Sequence, residues 1–137
     1  LYSILDTSTH QLQWTCAGHP LPLLQNMDTN EISTLGDEDQ IGLPLAVMQG
    51  WNYECLSAHI PPRSRVLLYT DGLDEAFPPE GDALADQFGV AGITDALKES
   101  INMSLDDAMN HLFNKSTEIT AGAGRHDDTS VMMIERK

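Results

Sequence analysis

The stretch LLYTDGLDEA (residues 67–76) closes the strongest strand signal in the chain, RVLLYT at residues 65–70, on the pair Asp71-Gly72. An apolar run that ends this way has two readings. Asp-Gly is a common turn after a strand. It can also hold a metal-ligating carboxylate at a point where glycine lets another backbone approach closely. One dipeptide does not choose between them.

Around this run the chain alternates in the manner of a β-rich domain. Tyr2–Asp6 and Gln11–Ala17 flank a Thr-Ser-Thr-His turn, with Leu12, Trp14 and Cys16 on one face and Gln11, Gln13 and Thr15 on the other. Pro20 and Pro22 precede Leu23–Gln25, which predicts a short or edge strand there. A weak strand is expected at Ile32–Thr34 and another over residues 51–60, with a loop from Phe77 to Gln87. Val90, Ile93, Leu97 and Ile101 recur at helical spacing. A second helix is capped by Ser104, with Asp106 and Asp107 at its positive end. Its stripe of Leu105, Ala108, Met109, Leu112, Phe113 and Ile119 predicts core packing. TSVMMIE (129–135) is a closing strand. Strands, then two helices, then a returning strand fit an α+β fold of antiparallel sheets with helices on a face.

At 137 residues the chain reads as one domain, residues 1–137. The net charge of −14 is unevenly built, because residues 1–62 hold seven acids and neither Lys nor Arg. Phosphate backbones and anionic lipid need clustered Lys and Arg, so nucleic acid and membrane are excluded as expected partners. Cys16 and Cys55 have no partners at metal-binding spacing and read as buried free thiols, which points to a reducing, cytoplasmic setting. No apolar run approaches the roughly 20 residues of a membrane span. The chain begins at Leu1 inside an expected strand and is read as a piece of something longer.

A second acidic group stands in a setting like that of the first. GRHDDTSVMMI places Asp127 and Asp128 just before the final strand, as Asp71 stands just after an internal one. If those two strands pair antiparallel, Asp71 and Asp127 meet at one end of a sheet although 56 residues apart. Carboxylates so clustered need positive charge between them, and hard oxygen ligands suit Mg²⁺ or Mn²⁺ rather than Zn²⁺. Taken one by one, the same acids are turn and cap residues. His126 reads as a solvated loop histidine and His19 as one that hydrogen-bonds a loop in place.

Five stretches in order, AGHPLPLL, GLPLAV, LLYTDGLDEA, FGVAGI and RHDDTSVMMI, resemble the SpoIIE-like bacterial phosphatases, a branch of the metal-dependent type 2C (PPM) Ser/Thr protein phosphatases. The resemblance runs from about Leu1 to Ile134. It implies a two-layer antiparallel β-sandwich flanked by helices, with two Mn²⁺ or Mg²⁺ ions at one end. A metal-activated water, not a side chain, would hydrolyse phosphoserine or phosphothreonine. By motif, Asp71 matches the ligand in Thr-Asp-Gly, with Gly72 beside it. Asp127 matches the first Asp of Asp-Asp-x-Thr/Ser, and Asp128 fills the second position as a ligand or a support for one. Gly42, Leu43, Pro44 and Leu45 match a structural loop in which Ala46 replaces the usual glycine. The implied substrate is a phosphorylated STAS-type anti-sigma-factor antagonist, under control of an upstream receiver or sensor domain.

The resemblance has one large departure. Active members carry a further Asp in an Asp-x-x-Gly-His-Gly stretch near the start of the domain, which is absent here; Gly18-His19 belongs to another motif. The match is therefore to the C-terminal two thirds of a phosphatase domain, incomplete at the N-terminus, with a partial metal site. Exposed apolar surface and self-association into a homo-oligomer are expected consequences. The competing readings are a non-catalytic PPM-like binding or regulatory module and an unrelated acidic α+β domain whose Asp pairs are turns.

Overall fold

The computed structural model describes residues 1–80, 86–125 and 127–137. Seven strands form two antiparallel sheets. β1 (Tyr2–Asp6), β2 (Gln11–Thr15) and β5 (Leu56–His59) make a three-stranded sheet in the order β1-β2-β5. β3 (Leu23–Asn26), β4 (Ile32–Thr34), β6 (Ser64–Tyr69) and β7 (Val131–Arg136) make the other, in the order β4-β3-β6-β7. Three helices follow β6: the single turn α1 (Asp71–Asp74), then α2 (Gly89–Glu99) and α3 (Leu105–Ile119).

Two apolar layers hold these parts together. Leu12, Trp14, Leu56 and Val66 pack between the two sheets. Leu67, Tyr69 and Met133 pack on the opposite face of the four-stranded sheet, against Leu73, Ile93, Leu97 and Leu112 of the helices. β6 is therefore covered on both sides, which is why its sequence is an apolar run without alternation. Even its one charged residue is enclosed. Arg65 is 2% exposed, pairs with Glu135 of β7 at 2.8 Å, and donates to the carbonyls of Ser100 and Met103 just beyond α2. A cation at that end of a helix meets its negative pole.

Several expectations hold, and a few are corrected. β1, β4 and α3 fall where the pattern places them, and the Ser104 hydroxyl accepts from the Asp107 N–H at 3.2 Å as the cap of α3. β3 is short but is an inner strand; both prolines precede it, so no ladder N–H is missing. Residues 51–55 are not strand, because the β2–β5 ladder ends at Trp14–Leu56 and β2 itself stops at Thr15. Val90 and Phe113 lie exposed rather than in the core, and Cys55 is exposed while Cys16 is buried; both thiols are free. Exposed apolar side chains do occur, among them Tyr2 and Ile4 on β1, and Leu45, Val47 and Met48 in one loop. No helix among the described residues is long and apolar enough to cross a membrane.

The loop that follows β2 is tied to the GLPLAV stretch. Ala17 bridges Gly42, the Gly18 N–H donates to the Gly42 carbonyl at 2.8 Å, and a Cβ on Gly18 would lie 2.6 Å from Pro44 Cγ. Two residues after Pro44, Ala46 has φ +67°, a left-handed conformation that costs an L-residue roughly 1–2 kcal/mol. That is the position at which the resemblance leads one to expect glycine. Ala46→Gly is expected to raise stability by about 0.5–1 kcal/mol, the relief exceeding glycine's entropy cost in the unfolded chain. Urea unfolding of the two proteins measures it, and a loss of stability on substitution would contradict the assignment of strain.

Candidate functional site

The β6–β7 pairing runs from Ser64–Arg136 to Tyr69–Val131, so the end of β6 lies beside the start of β7. Thr70 carries the ladder one step further. Its N–H donates to the Ser130 carbonyl at 3.0 Å, while its hydroxyl donates to the Asp128 carbonyl at 3.1 Å and accepts from the Ser130 N–H at 2.9 Å. The backbone then turns into α1, with Thr70 still extended and Asp71 the first helical residue.

Gly72 is buried against the other strand's approach. A Cβ built on it would stand 2.6 Å from the Asp128 carbonyl oxygen, 2.8 Å from Thr129 Oγ1 and 2.9 Å from the Asp127 carbonyl oxygen. Only glycine leaves room for such an approach. The Thr-Asp-Gly and Asp-Asp-Thr-Ser stretches thus interlock through Thr70 and Gly72.

The carboxylates themselves are exposed. Asp71 Oδ1 accepts from the Gly72 N–H at 3.0 Å, and Asp127 Oδ1 from the Asp128 N–H at 2.7 Å. Each acid is held by the residue after it, a local brace that fixes the side chain. The two acids open into different clefts. Asp127 and Asp128 line a groove with Phe113, Arg125 and Thr129. Asp71 lines a cleft of about 720 Å³ with Asp74, Glu75, Asp37, Glu38 and His19, and among the described residues neither Lys nor Arg lines it. His19 Nδ1 donates to the Pro20 carbonyl at 2.8 Å, the loop-holding role its position suggests. His126 lies outside the described residues. Among the described residues, no group of three or more His, Cys, Asp or Glu side chains converges to hold a metal.

The family described as stage II sporulation protein E (SpoIIE) matches residues 1–137. The chain belongs to the SpoIIE family. No curated protein matches it significantly. Among solved structures, the RsbU and RsbW domains of Rv1364c from Mycobacterium tuberculosis match this SpoIIE-family chain at TM-score 0.72 and 24% identity, over 98% of it and 36% of that chain. The SiaA PP2C domain of Pseudomonas aeruginosa matches at TM-score 0.69 and 19% identity, over 96% and 49%. The manganese-presoaked phosphatase domain of the cell-fate determinant SpoIIE from Bacillus subtilis matches at TM-score 0.70 and 12% identity, over 98% and 55%. These likenesses establish the fold as that of PP2C phosphatase domains. The chain spans about a third to just over half of the length of these structures.

A hard divalent ion suits the donors that this SpoIIE-family chain offers. Carboxylate oxygens at Asp71, Asp127 and Asp128 are the right type, and an ion such as Mg²⁺ keeps several waters and takes only one or two protein carboxylates. The Gly72 cradle, which any Cβ would fill, is the backbone feature that lets the two acidic segments come together.

Two residues near the site escaped the sequence reading. Asp74 lies three positions after Asp71, one helical turn away, and that spacing was the available signal. Its Oδ1 is buried without a hydrogen-bond partner among the described residues. Desolvation, with the charges of Glu75 and Asp71 adding to it, raises its pKa to about 6. Arg125 is the other, and its contacts are non-local.

Two outcomes follow from this geometry. Gly72→Ala is expected to cost about 1–3 kcal/mol in chemical denaturation, because the new methyl must push back two backbone carbonyls. For Asp74, the native state retains a proton between about pH 4 and 6 that the unfolded chain has released, so stability falls as pH rises through that window and levels off above it. Asp74→Asn removes this fall. In chelator-treated buffer the variant should be more stable than the parent at pH 7, with the difference shrinking towards pH 4; a difference independent of pH would refute the buried charge.

Proposed function

We propose that the protein of which this chain forms part hydrolyses phosphoserine or phosphothreonine on a protein in bacterial signalling, as a Mn²⁺- or Mg²⁺-dependent phosphatase. The observation that carries the reading is the interlock of Thr70 and Gly72 with Asp127–Ser130, which sets Asp71 and Asp127 at the same end of the β6–β7 pair. In this reading Asp71 and Asp127 hold the ions, Asp128 holds or supports one, and Gly72 contributes the close backbone approach. The ions would supply Lewis-acid charge and acidify a water.

Charge supports the same conclusion. A phosphoryl group entering the cleft beside Asp71 finds acids, Asp37, Glu38, Asp71, Asp74 and Glu75, as the charged side chains among the described residues that line it, with His19 beside them and neither Lys nor Arg. Such an anion is accepted only with cations between it and the acids. The phosphorylated partner is read as a STAS-type anti-sigma-factor antagonist, with control from an upstream receiver or sensor domain; the likeness to a protein with RsbU and RsbW domains favours a setting of interacting regulators. Self-association through the exposed Tyr2 and Ile4 of β1 belongs to the same reading.

A second reading, a non-catalytic PPM-like binding module, is favoured by the lack of a three-residue ligand group among the described residues. Calorimetric titration of Mn²⁺ into the parent and Asp71→Asn separates the two. The phosphatase reading expects binding in the parent, its loss in the variant, and a fall in phosphoserine hydrolysis of about 100-fold or more. Equal Mn²⁺ affinity in both proteins overturns the placement of the site. Mn²⁺ binding without any hydrolysis by the full-length protein supports the binding module.

A further inference from the structure

We propose that Arg125 is a positioning residue that sets the relative placement of the Asp71 and Asp127 segments by clamping both to α3. This rests on the phosphatase reading given above. The guanidinium donates through Nη1 to the Gly72 carbonyl at 3.1 Å and to Ser116 Oγ at 2.9 Å, and through Nη2 to the Phe113 carbonyl at 3.2 Å and to Thr117 Oγ1 at 3.0 Å. It also lies over the Phe113 ring, 4.3 Å from its centre.

The place of these contacts in the chain gives them their meaning. The Gly72 carbonyl is one residue beyond Asp71, and Arg125 itself is two residues before Asp127. One side chain therefore reaches next to both acidic segments. Ser116, fully buried on α3, completes the clamp: its hydroxyl accepts from Arg125 and donates to the Leu73 carbonyl at 2.9 Å. Two successive carbonyls of α1 are thus gripped from α3, one of them by way of Arg125.

An arginine beside two carboxylates, near a proposed phosphoryl site, invites a different role, direct contact with the phosphoryl group. The hydrogen-bond inventory argues against it. An arginine has five N–H donors, and four are already given to neutral acceptors within the protein. A bidentate grip on phosphate would have to break that fork. Among the described residues no carboxylate lies within ion-pair distance of Arg125, although Asp127 and Asp128 line the same groove. The side chain is used for its planar fork. A lysine, a point charge on a flexible stem, cannot span the same four acceptors.

Arg125→Lys in the full-length protein is the informative variant, since it keeps the charge and loses the fork. Residues that orient metal ligands typically change metal affinity or activity by about 10–100-fold when replaced. Arg125→Lys is expected to weaken Mn²⁺ binding by about 10-fold in calorimetry and to lower kcat, with KM for a phosphoserine protein unchanged. Ser116→Ala, which leaves the arginine in place, should move both quantities in the same direction by less, and it carries the test if Arg125→Lys does not fold. A raised KM with unchanged Mn²⁺ affinity would assign the arginine to the phosphoryl group and overturn the proposal. So would a lowered Tm with Mn²⁺ affinity and kcat both preserved, the mark of a purely structural contact. Asp71→Asn, titrated alongside, separates the two levels: its retention of parental Mn²⁺ affinity defeats the phosphatase site, whereas its loss of binding with no effect of Arg125→Lys or Ser116→Ala defeats only the clamp.

Discussion

Six residue pairs, from Ser64–Arg136 to Tyr69–Val131, join β6 to β7, and nearly everything else in the fold is arranged around that ladder. β6 is an inner strand whose two faces meet the two apolar layers. Val66 faces the three-stranded sheet, while Leu67 and Tyr69 face the helices. Because the two strands are antiparallel, the residue that leaves β6 and the residues that lead into β7 share one end of the sheet. Thr70 extends the ladder with its side chain, and Gly72 lets the segments touch. The candidate site is a by-product of this pairing rather than a separate construction.

Electrostatics and packing divide the work around that end. The cleft beside Asp71 gathers acids without neighbouring cations, and burial makes Asp74 hold its proton more tightly than an ordinary carboxylate. The cations are placed elsewhere, for structural ends. Arg65 is buried between β7 and the end of α2, and Arg125 is spread over carbonyls and hydroxyls of α1 and α3. In a chain with a net charge of −14, both arginines serve as connectors between elements.

Local pattern made much of this legible. The alternation of QLQWT reports a half-buried strand, the unbroken apolar run of β6 one buried on both faces, and Ser104 the start of α3. The meeting of the Thr-Asp-Gly and Asp-Asp-Thr-Ser segments was also readable, because the position of each relative to a strand end required only that the two strands pair. What could not be read depends on distant backbone. Phe113 sits in an apolar stripe, yet it lies at the surface beneath a guanidinium that belongs to a loop twelve residues later. The Trp51–Cys55 stretch alternates well but lies beyond Trp14–Leu56, where the β2–β5 ladder ends. α1 is a single turn, too short to show a period, so the three-residue spacing of Asp71 and Asp74 was the one trace it left in the sequence. Arg125 reveals its role only through the Gly72 carbonyl, 53 residues away, and a backbone acceptor leaves no mark in a side-chain sequence.

The chain between β6 and β7 holds α1, α2 and α3 and forms a long loop that closes when the last strand docks. In the unfolded chain Asp71 and Asp127 belong to the two ends of that loop and share no local structure. On the proposed metal-dependent reading, ions held at these two acids would bind the folded chain and not the unfolded one, and so would help close the loop. On that reading, removing the ions would therefore loosen the docking of β7 and lower the stability of the folded chain.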